Sequence, residues 1–160
     1  MKLTLPHATL RRPAGGFTLV EIMVVVVIIG ILAALAIPAF MHMQRAAQNN
    51  RFLNDLRAFS QAFETYALQN GAWPPNAGAG VVPTGMASDF RAGAWQATTP
   101  VGGRWNWDNN INGYRAAISV SSPTADDSQL AEIDAKIDDG DLTTGMFVKA
   151  SNRFMYILEK

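Results

Sequence analysis

The sequence of 160 residues contains no cysteine, and its only histidines are His7 and His42. Without cysteine, disulfides, thiol catalysis and cysteine-ligated metal sites are excluded. Because no histidine follows His42, catalytic triads and histidine metal sites are excluded from residues 43–160 as well. Any chemistry in the C-terminal part of the chain must therefore depend on carboxylates, hydroxyls or basic side chains.

Charged and polar side chains are also missing from residues 22–40. A helix over this run would be about 28 Å long, close to the roughly 30 Å hydrocarbon core of a bilayer, so we expect it to span a membrane. Lys2, Arg11 and Arg12 precede the run, and residues 1–16 contain no acidic residue. This charge bias predicts that the N-terminus is in the cytoplasm and that the chain beyond the run lies across the membrane.

Small residues stand before the apolar run, at Gly15 and Gly16, whereas an ordinary secretory signal has its small-residue cleavage site after it. A cut after Gly16 would remove a basic leader, residues 1–16, and keep the apolar helix. Glu21 lies at the start of this helix, where a carboxylate is costly unless it has a partner. The cut would supply that partner, because it creates a cationic amine on Phe17.

The stretch GGFTLVEIMVVVVIIGILAALAIPAF resembles the N-terminal signature of type IV pilins and of type II secretion pseudopilins. The resemblance implies a protein of the bacterial inner membrane whose C-terminal head is periplasmic. It implies that a prepilin peptidase cuts between Gly16 and Phe17 and that Phe17 is then N-methylated. It also implies that inner-membrane machinery assembles identical or related subunits into a helical filament, in which Glu21 pairs with the Phe17 amine of a neighbour. In such a filament, Gly30 and Pro38 would let the helix bend or loosen.

Beyond residue 44 the chain stays helical by pattern but becomes amphipathic. Its apolar positions recur at intervals of three and four residues: Phe52, Leu56, Phe59, Phe63 and Tyr66. Asn70-Gly71 is expected to end the helix. The sequence therefore predicts four segments: the leader 1–16, a transmembrane and filament-core helix 17–43, its amphipathic continuation 44–71, and a head 72–160.

The head is predicted to contain four strands, at residues 104–108, 114–121, 145–149 and 153–159, with a turn near Ser151-Asn152. A short helix within residues 127–141 is expected to be capped by Asp127 or Ser128, to face inward at Leu130, Ile133 and Ile137, and to end at Gly140. The predicted fold class is α+β, with the long helix packed on a small antiparallel sheet. Phrases such as WPP, TPVGGRWNWD and IDDGDLTTGMF are similar to the heads of a group of type II secretion pseudopilins.

Four aspartates gather at the end of the short helix: Asp134, Asp138, Asp139 and Asp141. The helix dipole disfavours negative charge at this end, and a Ca²⁺ ion would relieve the repulsion. We take Asp138, Asp139 and Asp141 as the candidate ligands. The other interpretation is a solvated turn, or salt bridges to Lys136 and Arg153.

The sequence of the head raises two other possible functions, of which the first is hydrolysis. Asp108, Glu132 and Glu159 could supply a carboxylate-pair hydrolase on a membrane anchor, although nothing in the sequence matches an acid with a base.

The head also interleaves arginine with tryptophan, a pattern found in nucleic-acid binding proteins: Arg91, Trp95, Arg104, Trp105, Trp107 and Arg115. Loss of the leader removes three of 13 basic side chains and none of the 13 acidic ones, so the mature chain is acidic and we predict that it binds no nucleic acid.

The preferred interpretation is a structural filament subunit without catalytic activity, a pseudopilin of a type II secretion system. Its expected partners are related subunits, the prepilin peptidase, the assembly machinery and membrane lipid. A type IV pilin of a surface pilus is the alternative within the same class.

Overall fold

The computed structural model describes residues 16–160, so the predicted leader, with its basic residues and Gly15, lies outside the described residues. The elements are α1 (Leu19–Asn70), β1 (Arg104–Ile111), β2 (Tyr114–Ser121), α2 (Asp127–Ile137), β3 (Phe147–Ala150) and β4 (Arg153–Glu159). The described residues fall into two compact units, one ending at Met41 and the other covering His42–Lys160. The predicted α+β fold class is confirmed.

The first unit consists of the N-terminal part of α1. Its large apolar side chains are exposed; Val26 is 62% exposed and Leu35 is 72% exposed. Within residues 16–160, one helix is long and apolar enough to cross a membrane. The helix continues through Pro38, and no atom lies close to the space beside Gly30. Contact between so many apolar side chains and water is unfavourable, so this part of the helix needs lipid or other protein around it.

In the second unit, the rest of α1 buries the face that its periodicity predicts. Phe52 and Phe63 are 1% and 0% exposed, and Tyr66 is partly buried. Phe52 stacks on Trp105 with ring centroids 5.0 Å apart, and Phe63 stacks on Trp107 at 3.9 Å. The tryptophans are therefore core residues and offer no exposed platform for a nucleobase.

The helix ends where the sequence predicted. Gly71 has a φ of 71°, and its amide donates to the carbonyl of Ala67 at 2.8 Å. This left-handed residue closes the helix, because glycine adopts that conformation without a steric penalty.

The four strands form one antiparallel sheet in the order β1-β2-β4-β3. β2 and β4 have the predicted bounds, whereas β1 continues three residues further than predicted and β3 begins two residues later. The extension of β1 is explained by a two-residue turn at Asn112-Gly113, where both residues have positive φ and bring Ile111 opposite Tyr114. Side chains on one face of the sheet pack with the buried face of α1.

The capping residue predicted for α2 is wrong. Asp126 is the N-cap, and its side chain accepts a hydrogen bond from the Gln129 amide at 2.7 Å. Asp127 instead pairs with Lys149, and Ser128 accepts a hydrogen bond from Arg45. The predicted end at Gly140 is also wrong, because α2 ends at Ile137. Leu130 and Ile133 face inward as predicted, and Ile137 is partly buried.

Loops of this chain lie along both edges of the sheet. On the β1 side, Ala77 pairs with Trp107, and the Gly80 amide donates to the Trp105 carbonyl at 2.7 Å. On the β3 side, the Lys149 amide donates to the Leu142 carbonyl at 2.7 Å. The two edge strands are thus shielded from pairing with another strand.

Candidate functional site

The first candidate site is the segment that leads into α1. Gly16 and Phe17 precede the helix, and Phe17 is 79% exposed. The Thr18 amide donates to Glu21 Oε2 at 3.4 Å, and the Glu21 amide donates to Thr18 Oγ1 at 3.3 Å. This reciprocal pair is a capping box, which satisfies two backbone amides that the first turn would otherwise leave unpaired.

The capping box gives Glu21 a role that our sequence interpretation missed, although the spacing Thr18-x-x-Glu21 is its usual signal. The carboxylate lies at the positive end of the helix dipole, which favours a negative charge. The helix start therefore already stabilises the Glu21 carboxylate within a single chain, without a charged partner from another subunit. The Gly16–Phe17 peptide bond lies just before this capped turn, outside the helix and exposed.

The second candidate site is the acidic turn that follows α2. Asp134, on α2, is 0% exposed, and neither oxygen of its carboxylate has a hydrogen-bond partner within residues 16–160. Asp138 and Asp139 are exposed, and one carboxylate oxygen from each of the three residues lies within 4.8 Å of the others. A buried carboxylate without a partner is costly, and a cation among these oxygens would compensate for that cost.

The electrostatics of the turn agree with its geometry. Burial, followed by the negative charges of Asp139 and Asp138, raises the pKa of Asp134 to about 6, and the Gly140 amide opposes this rise only in part. The pKa of Asp139 is instead lowered, mainly because the Asp141 amide and the Thr144 hydroxyl donate to its carboxylate. The turn therefore holds one carboxylate that resists ionisation beside one that favours it.

The chain fixes the remaining carboxylates of the turn through its own backbone. Asp138 accepts a hydrogen bond from the Met146 amide, and a side chain at Gly145 would overlap the Asp138 carboxylate. Asp141 accepts from the Thr143 amide at 3.0 Å and from the Thr143 hydroxyl at 2.7 Å. Of the three predicted ligands, the structure groups Asp138 and Asp139 with Asp134, whereas Asp141 is outside this group.

The salt bridges considered as an alternative involve other residues. Lys136 Nζ donates to Asn50 Oδ1 at 2.9 Å, and Arg153 pairs with Asp108 at 3.0 Å. In the described part of the chain, neither cation neutralises the acidic turn.

The three carboxylates considered for a hydrolase lie on different elements, and each is paired with an arginine. The pairs are Asp108–Arg153 at 3.0 Å, Glu132–Arg45 at 3.3 Å and Glu159–Arg115 at 2.6 Å. Asp108 is also buried, with further hydrogen bonds from Asn106 and Ser119. Two carboxylates facing one reacting group, as glycoside hydrolysis requires, are not found among them.

Comparison with known families agrees with the geometry of the N-terminal segment. Residues 11–37 match the prokaryotic N-terminal methylation motif. The matched residues include Gly16, Phe17, the capping box and the first part of the apolar helix. The chain thus carries the N-terminal segment that type IV pilins and type II secretion pseudopilins share, and the resemblance indicated by the sequence is confirmed for this segment.

Individual relatives carry both names. The chain is 48% identical over 64 residues to type II secretion system core protein G of Pseudomonas aeruginosa. The aligned residues are 40% of this chain and 45% of the relative. The chain is 44% identical over 59 residues to the protein of that name in Escherichia coli, covering 37% and 41%. It is also 39% identical over 88 residues to type IV major pilin protein PilE1 of Neisseria gonorrhoeae, covering 55% and 40%.

These matches span less than half the length of each of the three relatives. No solved structure matches the chain. The N-terminal apolar helix and the matching motif together describe a membrane-anchored subunit.

Proposed function

We propose that this protein is a structural filament subunit, a pseudopilin of a type II secretion system whose periplasmic fibre drives protein export. The observation that carries the proposal is the methylation motif, which coincides with an exposed Gly16–Phe17 bond beside a capped apolar helix. The relatives named core protein G support the choice of secretion system. We propose no catalytic activity, since the candidate carboxylates are separately paired.

The proposed sequence of events begins with residues 1–16 in the cytoplasm, residues 17–43 in the inner membrane and the head in the periplasm. A prepilin peptidase removes residues 1–16 and frees the amine of Phe17, which is then methylated. Residues 17–43 leave the lipid when the subunit joins the fibre. Their exposed apolar side chains then pack against related helices.

Glu21 would then serve two states of the protein. In the single chain it caps the first turn with Thr18, and in the fibre it pairs with the Phe17 amine of a neighbouring subunit. A subunit in the wrong register would leave both charges unpaired, and unpaired charges away from water are energetically costly. The carboxylate would therefore determine register more than net stability.

Production of the full chain in cells with a type II secretion assembly system tests the proposal. We expect fibres that contain this protein when the prepilin peptidase is active, and full-length membrane-bound protein without fibres when the peptidase gene is deleted. Fibres built from the uncut chain would contradict the proposal.

A type IV pilin of a surface pilus is the second candidate, favoured by the longer match to PilE1. The same experiment with a type IV pilus assembly system separates the two. Fibres that form only with the pilus system would favour the surface pilin.

We further propose that the acidic turn binds Ca²⁺ through Asp134, Asp138 and Asp139. The unpartnered, buried Asp134 supports this, since its carboxylate lies beside two exposed ones and Ca²⁺ favours several carboxylate oxygens. Asp141 would then shape the loop through Thr143. The ion would order the turn beside β3.

A further inference from the structure

Asparagine or aspartate precedes glycine at three places in the sequence: Asn70-Gly71, Asn112-Gly113 and Asp139-Gly140. In such a pair the glycine nitrogen can attack the side-chain carbonyl carbon of the preceding residue, because glycine has no side chain to obstruct the approach. An amide carbon accepts this attack far more readily than the carbon of an ionised carboxylate. The contacts of each pair determine which of the three is free to react.

Hydrogen bonds hold the first pair, Asn70-Gly71, although both residues are exposed. The Gly71 amide donates to the Ala67 carbonyl at 2.8 Å, and the Asn70 side-chain amide donates to the Tyr66 carbonyl at 2.9 Å. The attacking nitrogen and the group that it would attack are thus both bound to the last turn of α1. Both bonds must open before the two groups can meet, so the helix end protects this pair.

The Asp139-Gly140 pair is protected in another way. The Asp139 carboxylate accepts hydrogen bonds from the Asp141 amide at 2.9 Å and from the Thr144 hydroxyl at 2.7 Å. Donors of this kind stabilise the ionised carboxylate, which is the form that resists attack. The acidic turn therefore does not favour reaction at Asp139.

The third pair, Asn112-Gly113, is the exposed two-residue tip of the hairpin between β1 and β2. Within residues 16–160, the Gly113 amide donates to no backbone acceptor, and no atom beyond the adjoining residues lies within 4 Å of the place where a Gly113 side chain would be. Asn112 Nδ2 makes a weak hydrogen bond to Met155 Sδ at 3.5 Å. The attacking nitrogen is thus free, and a hairpin tip opens more easily than the interior of an element.

We propose that Asn112 is a site of spontaneous deamidation. The Gly113 nitrogen bonds to Cγ of Asn112, the bond from Cγ to Nδ2 breaks, and Nδ2 leaves as ammonia with the proton of the Gly113 amide. Solvent water then adds to one of the two carbonyl carbons of the resulting succinimide ring and breaks the bond from that carbon to the ring nitrogen. One opening yields aspartate, and the other yields isoaspartate, in which the backbone runs through the former side chain.

Both products change the hairpin. The new carboxylate cannot donate to Met155, which is fully buried in an apolar cluster with Ala117 and Ile157. Isoaspartate also adds one carbon atom to the backbone of the two-residue turn, which the pairing of Ile111 with Tyr114 does not accommodate. Deamidation should therefore loosen this end of the hairpin.

Incubation of the purified full chain, in detergent and mildly alkaline H₂¹⁸O, tests the assignment by peptide mass spectrometry. The peptide that contains residue 112 should gain one ¹⁸O atom and separate into two products of equal mass, aspartate and isoaspartate. The rate should rise with pH, because the Gly113 nitrogen attacks after it loses its proton. The peptide that contains Asn70 should react about tenfold more slowly or less, since two hydrogen bonds must open first.

The same incubation in urea is the matched control, because it removes the structure and keeps the sequence. Asn70 and Asn112 should then react at similar rates. In the folded chain, Asn112→Gln should leave the peptide unmodified, since glutamine must close a larger ring that forms more slowly. An unmodified Asn112, equal rates at Asn70 and Asn112 in the folded chain, or aspartate without isoaspartate would overturn the inference.

Discussion

Removal of the buried carboxylate of Asp134 should have opposite effects in the absence and in the presence of Ca²⁺. The pKa of Asp134 is raised from 3.8 to about 6, so the folded state binds a proton more tightly than the unfolded state. A raised acid pKa means that stability falls as pH rises between about 4 and 6 and then stays level. Above pH 6, the metal-free head therefore carries the full cost of this charge.

That cost follows from the size of the pKa shift. Each pKa unit corresponds to about 1.36 kcal/mol, and solvent screening by the exposed turn reduces the total to about 1–2 kcal/mol. Asp134→Ala should thus stabilise the metal-free head at pH 7.5 by about 1–2 kcal/mol, which corresponds to roughly 3–10 °C in Tm for a domain of this size. At pH 4 the gain should be largely absent.

Calcium should reverse the order of the two proteins. Free ion at 100 times its dissociation constant would stabilise the wild type by about 2.7 kcal/mol, whereas Asp134→Ala should gain much less. Thermal unfolding of residues 42–160, followed by circular dichroism with chelator and with millimolar Ca²⁺, measures both effects. Asp141→Ala is the matched control and should retain the pH dependence, because its carboxylate faces Thr143.

Two results would refute this reasoning. A metal-free Asp134→Ala head that is no more stable than the wild type at pH 7.5 would show that the carboxylate is not strained. Identical melting curves of the wild type with chelator and with Ca²⁺ would leave the turn as a solvated loop.

The remaining predictions concern the N-terminal segment, the core and the short helix. Glu21→Gln keeps the hydrogen bonds of the capping box but loses the charge, so it should insert in the membrane and yield few fibres; normal yield would contradict the pairing role, and Thr18→Ala controls for the cap. Phe63→Ala should lower the unfolding free energy by about 3–5 kcal/mol in urea titrations, whereas the exposed Leu68→Ala should change it by less than about 0.5 kcal/mol; equal effects would contradict the core assignment. Asp126→Ala should cost about 0.5–2 kcal/mol by loss of the N-cap of α2, and an unchanged midpoint would show that the cap is dispensable.

The long helix and its buried face could be predicted because their signals are local and repeated. An unbroken apolar run gives the membrane-spanning part, and aromatic residues at helical spacing give the face that packs against Trp105 and Trp107. The bounds of β2 and β4 were likewise predictable, because turn residues flank dense runs of strand-forming residues.

The details of the acidic turn depend on contacts that the sequence does not display. Asp126, Asp127 and Ser128 are all capable N-caps, and the sequence does not display the contacts that Lys149 makes with Asp127 or that Arg45 makes with both Asp126 and Ser128. Burial of Asp134 depends in the same way on how α2 packs. The capping box of Glu21, in contrast, has a local signal in the sequence, the spacing Thr18-x-x-Glu21.

The most direct test of the central claim is the intact mass and N-terminal sequence of the protein purified from membranes of cells that contain a prepilin peptidase. The account predicts a chain that begins at Phe17 and carries one methyl group on its amine, with residues 1–16 absent. A chain that still begins at Met1, or one cut after residue 40, would contradict the proposal that this protein is a processed filament subunit.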